Sequence, residues 1–271
     1  MQRLLTAAVL VPLLYGAIKW ASAPVFYGVA VLVIVGACWE CYRMMRHCAA
    51  SPFVLPGLAA TAATVWAHSG LDPGLGGPAV PPMALMLVAV PAAMALRPSP
   101  ERILRTVMET VFPVLFIAST MGYVVALRAL PDPDGEDLVM LLFVCVVLGD
   151  TAAYYVGRTL GRRPLAPQIS PKKTWEGFIG AMVGATLGAL IAHVWFYQRL
   201  PLAHVLPLGL LLGVSGAMGD LAESVVKRAC QVKDSSGLLP GHGGIFDRTD
   251  NLLLASPVLY HYYVWFLGAG R

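Results

Sequence analysis

Long apolar runs separated by short polar stretches make up most of this sequence, and the runs are continuous rather than alternating. A helix crosses a bilayer with about 20 mostly apolar residues, within a range of roughly 17–25. Nine stretches approach that length, at 4–20, 24–42, 53–70, 80–96, 107–127, 137–157, 174–197, 202–226 and 250–268. The lack of a period of two points to helices rather than to a barrel. The third and fourth runs are the shortest and are interrupted by Pro56, Pro81, Pro82 and Pro91. The pattern predicts an all-α polytopic membrane protein with about nine transmembrane helices in one membrane-embedded domain over 1–271. Residues 1–136 read as scaffold helices, and most of the polar motifs fall in 137–271. The first run, with Arg3 before it and Ala21-Ser22-Ala23 after it, resembles a signal peptide. Lys19 and Trp20 occupy the place of the small-residue cleavage region, which favours a retained helix.

Composition supports this reading, since 58% of the residues are hydrophobic and 13% charged, about half the charge of a soluble domain. Charge then sets the expected orientation. With the N-terminus inside, the cytoplasmic loops hold Arg3, Arg43, Arg46, Arg97, Arg102, Arg105, Arg158, Arg162, Arg163, Lys172, Lys173, Lys227, Arg228, Lys233 and Arg248. These are 15 of the 19 basic residues, as the positive-inside rule requires. The net charge of +4 therefore belongs to topology and to ligands at the cytoplasmic face, and does not imply nucleic acid. Five cysteines, an odd number lying mostly within apolar runs, do not form a disulfide framework.

Two cytoplasmic segments hold the candidate chemistry. In the later one, Asp220, Glu223, Ser224 and Lys227 fall at i, i+3, i+4 and i+7 and share a helix face. A glycine-rich turn from Gly237 to Gly244, containing Pro240 and His242, leads to Asp247, Arg248 and Asp250. Carboxylates at membrane depth cost roughly 2.5–3.5 kcal/mol each, and several together need a positive partner. A divalent cation held by Asp220, Asp247, Asp250 and Glu223 would supply one, and an all-oxygen set suits Mg²⁺ or Mn²⁺. Salt bridges to Lys227, Arg228 and Arg248 would also do so, and spacing alone leaves both readings open. The earlier segment carries Asp150 and Tyr154 one turn apart, then five basic residues up to Lys173. Its run Ser170-Pro171-Lys172-Lys173-Thr174 enters a helix directly. Hydroxyls, lysines and helix-start N–H groups suit a polyphosphate, although a topogenic loop would look similar. Carboxylates within spans also mark cation-coupled transporters, but here the charges gather on one face.

The stretch "SVVKRACQVKDSSGLLPGHGGIFDRTD" at 224–250 resembles the signature of the phosphatidate cytidylyltransferases, also called CDP-diacylglycerol synthases. Its Ser224, Lys227-Arg228, Lys233-Asp234, His242-Gly243-Gly244, Asp247-Arg248 and Asp250 all stand at the pattern's spacing. "SPKKTWEG" at 170–177 and "GDTAAYYVGR" at 149–158 are also similar to the family, so the likeness is strong from about 140 to 265. The resemblance implies that CTP and phosphatidic acid give CDP-diacylglycerol and pyrophosphate, the committed step of phospholipid biosynthesis. It further implies Mg²⁺, with or without a second, monovalent ion, a homodimer, and a bacterial inner membrane with the site facing the cytoplasm. Residues 137–271 become the catalytic half. There Asp220, Asp247, Lys227, Ser224, Arg248 and His242 are the expected catalytic group, and Asp220, Asp247, Asp250 and Glu223 the expected metal ligands. Ser170, Lys172, Lys173, Thr174 and Asp150 are the expected CTP contacts. A CTP-dependent lipid kinase would share such a nucleotide site.

Overall fold

The computed structural model describes residues 15–72, 74, 76–238 and 243–268; the first predicted span lies largely outside them. Among the described residues the helices are α1 (Ala23–His47), α2 (Val54–Ala67), α3 (Val80–Leu96), α4 (Pro100–Arg128) and α5 (Asp134–Leu160). They continue with α6 (Trp175–Trp195), α7 (Leu202–Ala229), α8 (Phe246–Thr249) and α9 (Leu252–Tyr262). Five of them, α1, α4, α5, α6 and α7, are long and apolar enough to cross a membrane. The protein is an α-helical multi-pass membrane protein.

Among the described residues five of the predicted runs form helices of spanning length, while α2 and α3 have 14 and 17 residues; two further differences stand out. Helix α4 starts at Pro100, well before the predicted 107, because its first turns are capped rather than apolar. Ser99 accepts a hydrogen bond from the Arg102 N–H, Pro100 takes the first turn and Glu101 follows. Farther on, Pro113 lacks an N–H and crowds the preceding turn, and a wider π-turn follows at Val114–Ala118. The second difference is a short antiparallel hairpin, β1 (Pro164–Ala166) and β2 (Ser170–Thr174), pairing Pro164 with Thr174 and Ala166 with Ser170.

The chain divides into two compact units: Met1–Ala129 with Lys227–Thr249, and Leu130–Val226 with Asp250–Arg271. In the first, Tyr42 of α1 is fully buried and donates its hydroxyl to the Thr110 carbonyl of α4 at 2.5 Å. Helix α8 packs on α1.

In the second unit glycines set the packing. Gly177, Gly180, Gly184 and Gly188 bring α6 onto the backbone of α5; a Cβ at Gly188 would lie 2.9 Å from Cys145 Cα, and one at Gly184 would strike the Leu148 carbonyl. On α7, a Cβ at Gly213 would lie 2.6 Å from Met182 Cα. Small residues at such contacts let helices approach to backbone distance. The hairpin is tied to the start of α6. Thr174 Oγ1 accepts from the Gly177 N–H at 3.2 Å, and Glu176 accepts from the N–H groups of Arg162 and Arg163 at 3.0 and 3.3 Å.

Gly184→Val should lower the stability of the detergent-solubilised protein by about 1–3 kcal/mol or more, because the side chain has nowhere to go. Gly28→Ala on α1, where a Cβ meets nothing within 4 Å, should instead gain roughly 0.5–1 kcal/mol from helix propensity. Thermal unfolding of the two variants beside the parent checks both signs.

Candidate active site

The second unit gathers three carboxylates. Asp220 and Glu223 lie one turn apart on α7, and Asp250 stands just before α9. Gly219 is needed here, since a Cβ would lie 2.5 Å from the Asp250 carbonyl. One oxygen from each of Asp220, Glu223 and Asp250 lies within 4.8 Å of the others. Glu223 is fully buried and Asp250 is 8% exposed. Lys173 Nζ of β2 sits 2.7 Å from Asp220 Oδ1, and the Asn251 N–H donates to Asp250 Oδ1 at 2.9 Å. Three carboxylates this close repel one another unless further positive charge enters. The donor set is all oxygen, partly buried and convergent, which fits a hard divalent cation such as Mg²⁺.

A cavity of about 530 Å³ opens against this group. Its lining includes the polar residues Asp150, Lys172, Lys173, Thr174 and Asp220 and the apolar residues Val146, Phe178 and Leu212. Arg158, also on the wall, donates to the Tyr154 hydroxyl at 2.9 Å. A pocket lined by both cations and aliphatic or aromatic groups suits a molecule with an anionic head and an apolar body.

In the first unit the signature turn is built around Asp247. Lys227 donates to Asp247 Oδ1 at 2.7 Å. Oδ2 accepts from the Ser235 N–H at 2.8 Å, the Gly244 N–H at 2.8 Å and the Ser235 hydroxyl at 2.9 Å. Gly243 adopts a φ of +77°, and a Cβ there would press on the Asp247 carboxylate. Burial pushes the Asp247 carboxyl up, but the Gly244 N–H, the Lys227 ammonium and the Ser235 N–H outweigh it and hold the pKa at about 2. Asp247 is therefore an anion throughout the physiological range.

The structure thus brings together three of the four predicted metal ligands, Asp220, Glu223 and Asp250, while Asp247 has Lys227, Ser235 and Gly244 as partners. Of the predicted nucleotide contacts, Asp150, Lys172, Lys173 and Thr174 line one cavity, and Ser170 is paired with Ala166 in the hairpin. Ser224 is buried on α7, and Arg248 is exposed on α8. His242 lies outside the described residues. Sequence reasoning missed Glu40 of α1. It is fully buried and accepts from the hydroxyls of Ser235 and Ser236 and from the N–H groups of Ile245 and Phe246. The signal was available, because a carboxylate inside an apolar run marks a functional position by default.

The Asp247 network makes a signed prediction. Its folded-state pKa lies below the usual 3.8, so the stability it contributes is complete above pH 3.8 and fades as the pH falls toward about 2. At neutral pH Asp247→Asn should unfold at a lower temperature than the parent, and the gap should narrow between about pH 4 and pH 2. A constant gap across that window would deny the network its charge.

The chain matches the model of the Cytidylyltransferase family over residues 1–266. It is 34% identical over 248 residues to a phosphatidate cytidylyltransferase of Mycobacterium bovis, covering 83% of this chain and 80% of that one. Over 148 residues it is 43% identical to the Bacillus subtilis protein of the same name, 54% of each chain. Over 147 residues it is 44% identical to the one from Brucella suis, again 54% of each. The chain spans about half the length of these last two relatives. By the near-complete family match and the long alignment to the mycobacterial protein, it belongs to the cytidylyltransferase family.

Proposed function

We propose that the protein is a phosphatidate cytidylyltransferase, converting CTP and phosphatidic acid to CDP-diacylglycerol and pyrophosphate. The observation that carries this reading within the family is the cavity of the second unit, whose lining combines Lys172, Lys173 and Asp220 with apolar side chains. A nucleoside triphosphate needs the cationic lining, and a lipid with a phosphate head needs cationic and apolar lining together. In the reaction, a phosphate oxygen of phosphatidic acid forms a bond to the α-phosphorus of CTP. The bond between that phosphorus and the bridging oxygen to the β-phosphate breaks, and pyrophosphate leaves with its electron pair. The attacking phosphate is already ionised, with a second pKa near ~6 by analogy with phosphorylated side chains, so the chain supplies no nucleophile. Its residues have to bring two polyanions together and hold the charge of the leaving pyrophosphate.

Lys172 and Lys173 are assigned to the CTP phosphates. Lys173 is held in place by Asp220, and β2 carries both lysines on a hairpin fixed to α6. Asp220, Glu223 and Asp250 would hold Mg²⁺, which supplies charge neutralisation for the phosphates when bound. Lys227 and Arg248 are assigned to substrate phosphates on the strength of the signature, with Asp247 keeping the Lys227 ammonium in position. The reading includes nine spans with the N-terminus cytoplasmic, residence in a bacterial inner membrane, a site on the cytoplasmic face, and a homodimer.

The activity is tested with purified protein, phosphatidic acid, Mg²⁺ and labelled CTP. Label at the α-phosphorus should enter lipid and label at the γ-phosphorus should not; the reverse would make the protein a lipid kinase. A chelator should abolish the reaction and Mg²⁺ restore it. Replacing Lys172 and Lys173 by Ala should raise the KM for CTP well over tenfold, since one charge-assisted hydrogen bond is worth about 1.5–3 kcal/mol. Asp250→Asn should cut turnover by orders of magnitude, as loss of a metal's several kcal/mol of stabilisation would.

The orientation is tested by single cysteines in a background lacking Cys48. Cysteines at Arg163 and Gly237 should be protected from an impermeant thiol reagent in intact cells, and one at Asp132 should react. Opposite sidedness of Arg163 and Gly237 would end the assignment.

A further inference from the structure

The geometry points to Glu40 as a positioning residue for the reaction, acting from the N-terminal helix α1 by clamping both ends of the signature turn. This inference rests on the cytidylyltransferase reading. Oε1 accepts from the Ser236 hydroxyl at 2.6 Å and the Ile245 N–H at 3.0 Å. Oε2 accepts from the Ser235 hydroxyl at 2.8 Å and the Phe246 N–H at 2.9 Å. Each oxygen therefore takes one bond from the entry of the turn and one from its exit. The clamp ties Ser235 and Ser236 to Ile245 and Phe246, so that these two short segments cannot drift apart. The carboxylate is fully buried, and four donors are what a buried carboxylate requires when no cation is beside it.

The clamp continues into the residues assigned to phosphate. Ser235 Oγ stands 2.8 Å from Glu40 Oε2 and 2.9 Å from Asp247 Oδ2, so one hydroxyl connects the two carboxylates. Asp247 in turn holds Lys227 at 2.7 Å. The order is thus Glu40, Ser235, Asp247, Lys227, and displacement at the first member moves the ammonium at the last. The same geometry explains the second glycine of the signature pair. A Cβ on Gly244 would collide with the Glu40 carboxylate and the Ser235 hydroxyl. Gly244 is bare because Glu40 is there.

A space-filling role and a clamping role differ in what Gln does at this position. Glu40→Gln keeps the shape, but its NH₂ must face either the Ile245 or the Phe246 N–H, placing donor against donor. Under the clamp, Glu40→Gln and Glu40→Ala should both cut turnover about tenfold or more with membrane insertion intact. Under mere packing, Gln would restore activity and Ala would not. Hydrogen exchange gives a readout that needs no activity. The Ile245 and Phe246 amides should be protected in the parent and exchange about tenfold or more faster in both variants, while amides within α1 and α7 stay unchanged.

The Gly244 contact supplies a cycle that works even with impaired variants. Gly244→Ala should be damaging alone, and Glu40→Ala with Gly244→Ala should be little worse than either single change, because both strike one contact. If Glu40→Ala does not insert, Ser236→Ala removes one donor of four and should show the same loss, reduced, in turnover and at the Ile245 amide. Near-parental turnover in a folded Glu40→Gln, unchanged exchange at both amides, or additive effects of the Glu40 and Gly244 changes would each overturn the inference. A parent that puts no α-label into lipid would instead sink the functional reading, and the exchange experiment would still report on the clamp.

Discussion

Between α5 and α6 there is little but backbone. Four glycines on one face of α6 remove the side chains that usually separate two helices, and Gly213 of α7 allows the same approach from that helix. In an apolar surrounding, where burying another leucine gains little, such contact is the main source of helix association. The second unit depends on it. Fixing α6 against α5 fixes Thr174 at its first turn, and with it β2 and the two lysines. Fixing α7 against α6 brings Asp220 to the Lys173 ammonium. The geometry of the candidate site is set by residues that have no side chains.

Charge is the second constraint, and the chain meets it in a different way at each carboxylate. Asp220 has an ammonium, and with Glu223 and Asp250 it offers a set of oxygens that a divalent cation fits. Asp247 has an ammonium and three hydrogen-bond donors, enough to keep it ionised in spite of burial. Glu40 has hydrogen bonds from two hydroxyls and two backbone amides. Burying a carboxylate without such partners costs far more than any of these arrangements.

Much of this was legible in the amino-acid sequence because hydrophobic length is a blunt and reliable signal. The runs at 24–42, 137–157, 174–197 and 202–226 became α1, α5, α6 and α7 with small shifts at their ends. Helix α4 was read too short because a capped, charged first turn looks like a loop to a hydropathy count. The hairpin was missed because strands of three and five residues containing two prolines carry no alternation to read. At the site, Asp220 and Glu223 could be paired from helical spacing alone, and Asp250 came with the signature. For Asp247 the salt bridge to Lys227 was one of two open readings and is the one the structure shows, but Ser235 and Gly244 could not be read, since they reach it through the path of a turn. Glu40 was visible as a lone charge in a greasy segment, but its donors lie 195 to 206 residues away, beyond any periodicity.

That separation also sets an order of events during synthesis. Chains grow at about 5–20 residues per second, so the Glu40 side chain emerges roughly 10–40 s before the turn that will satisfy it. Through that interval the C-terminal end of α1 holds a carboxylate with none of its final hydrogen bonds, which water at the membrane surface must solvate. The N-terminal helices can enter the bilayer early, but this end of α1 can be sealed from water only after the ribosome has made the segment that carries the signature. Enclosure of Glu40 is therefore a timing mark, reporting that the segment carrying the signature has arrived.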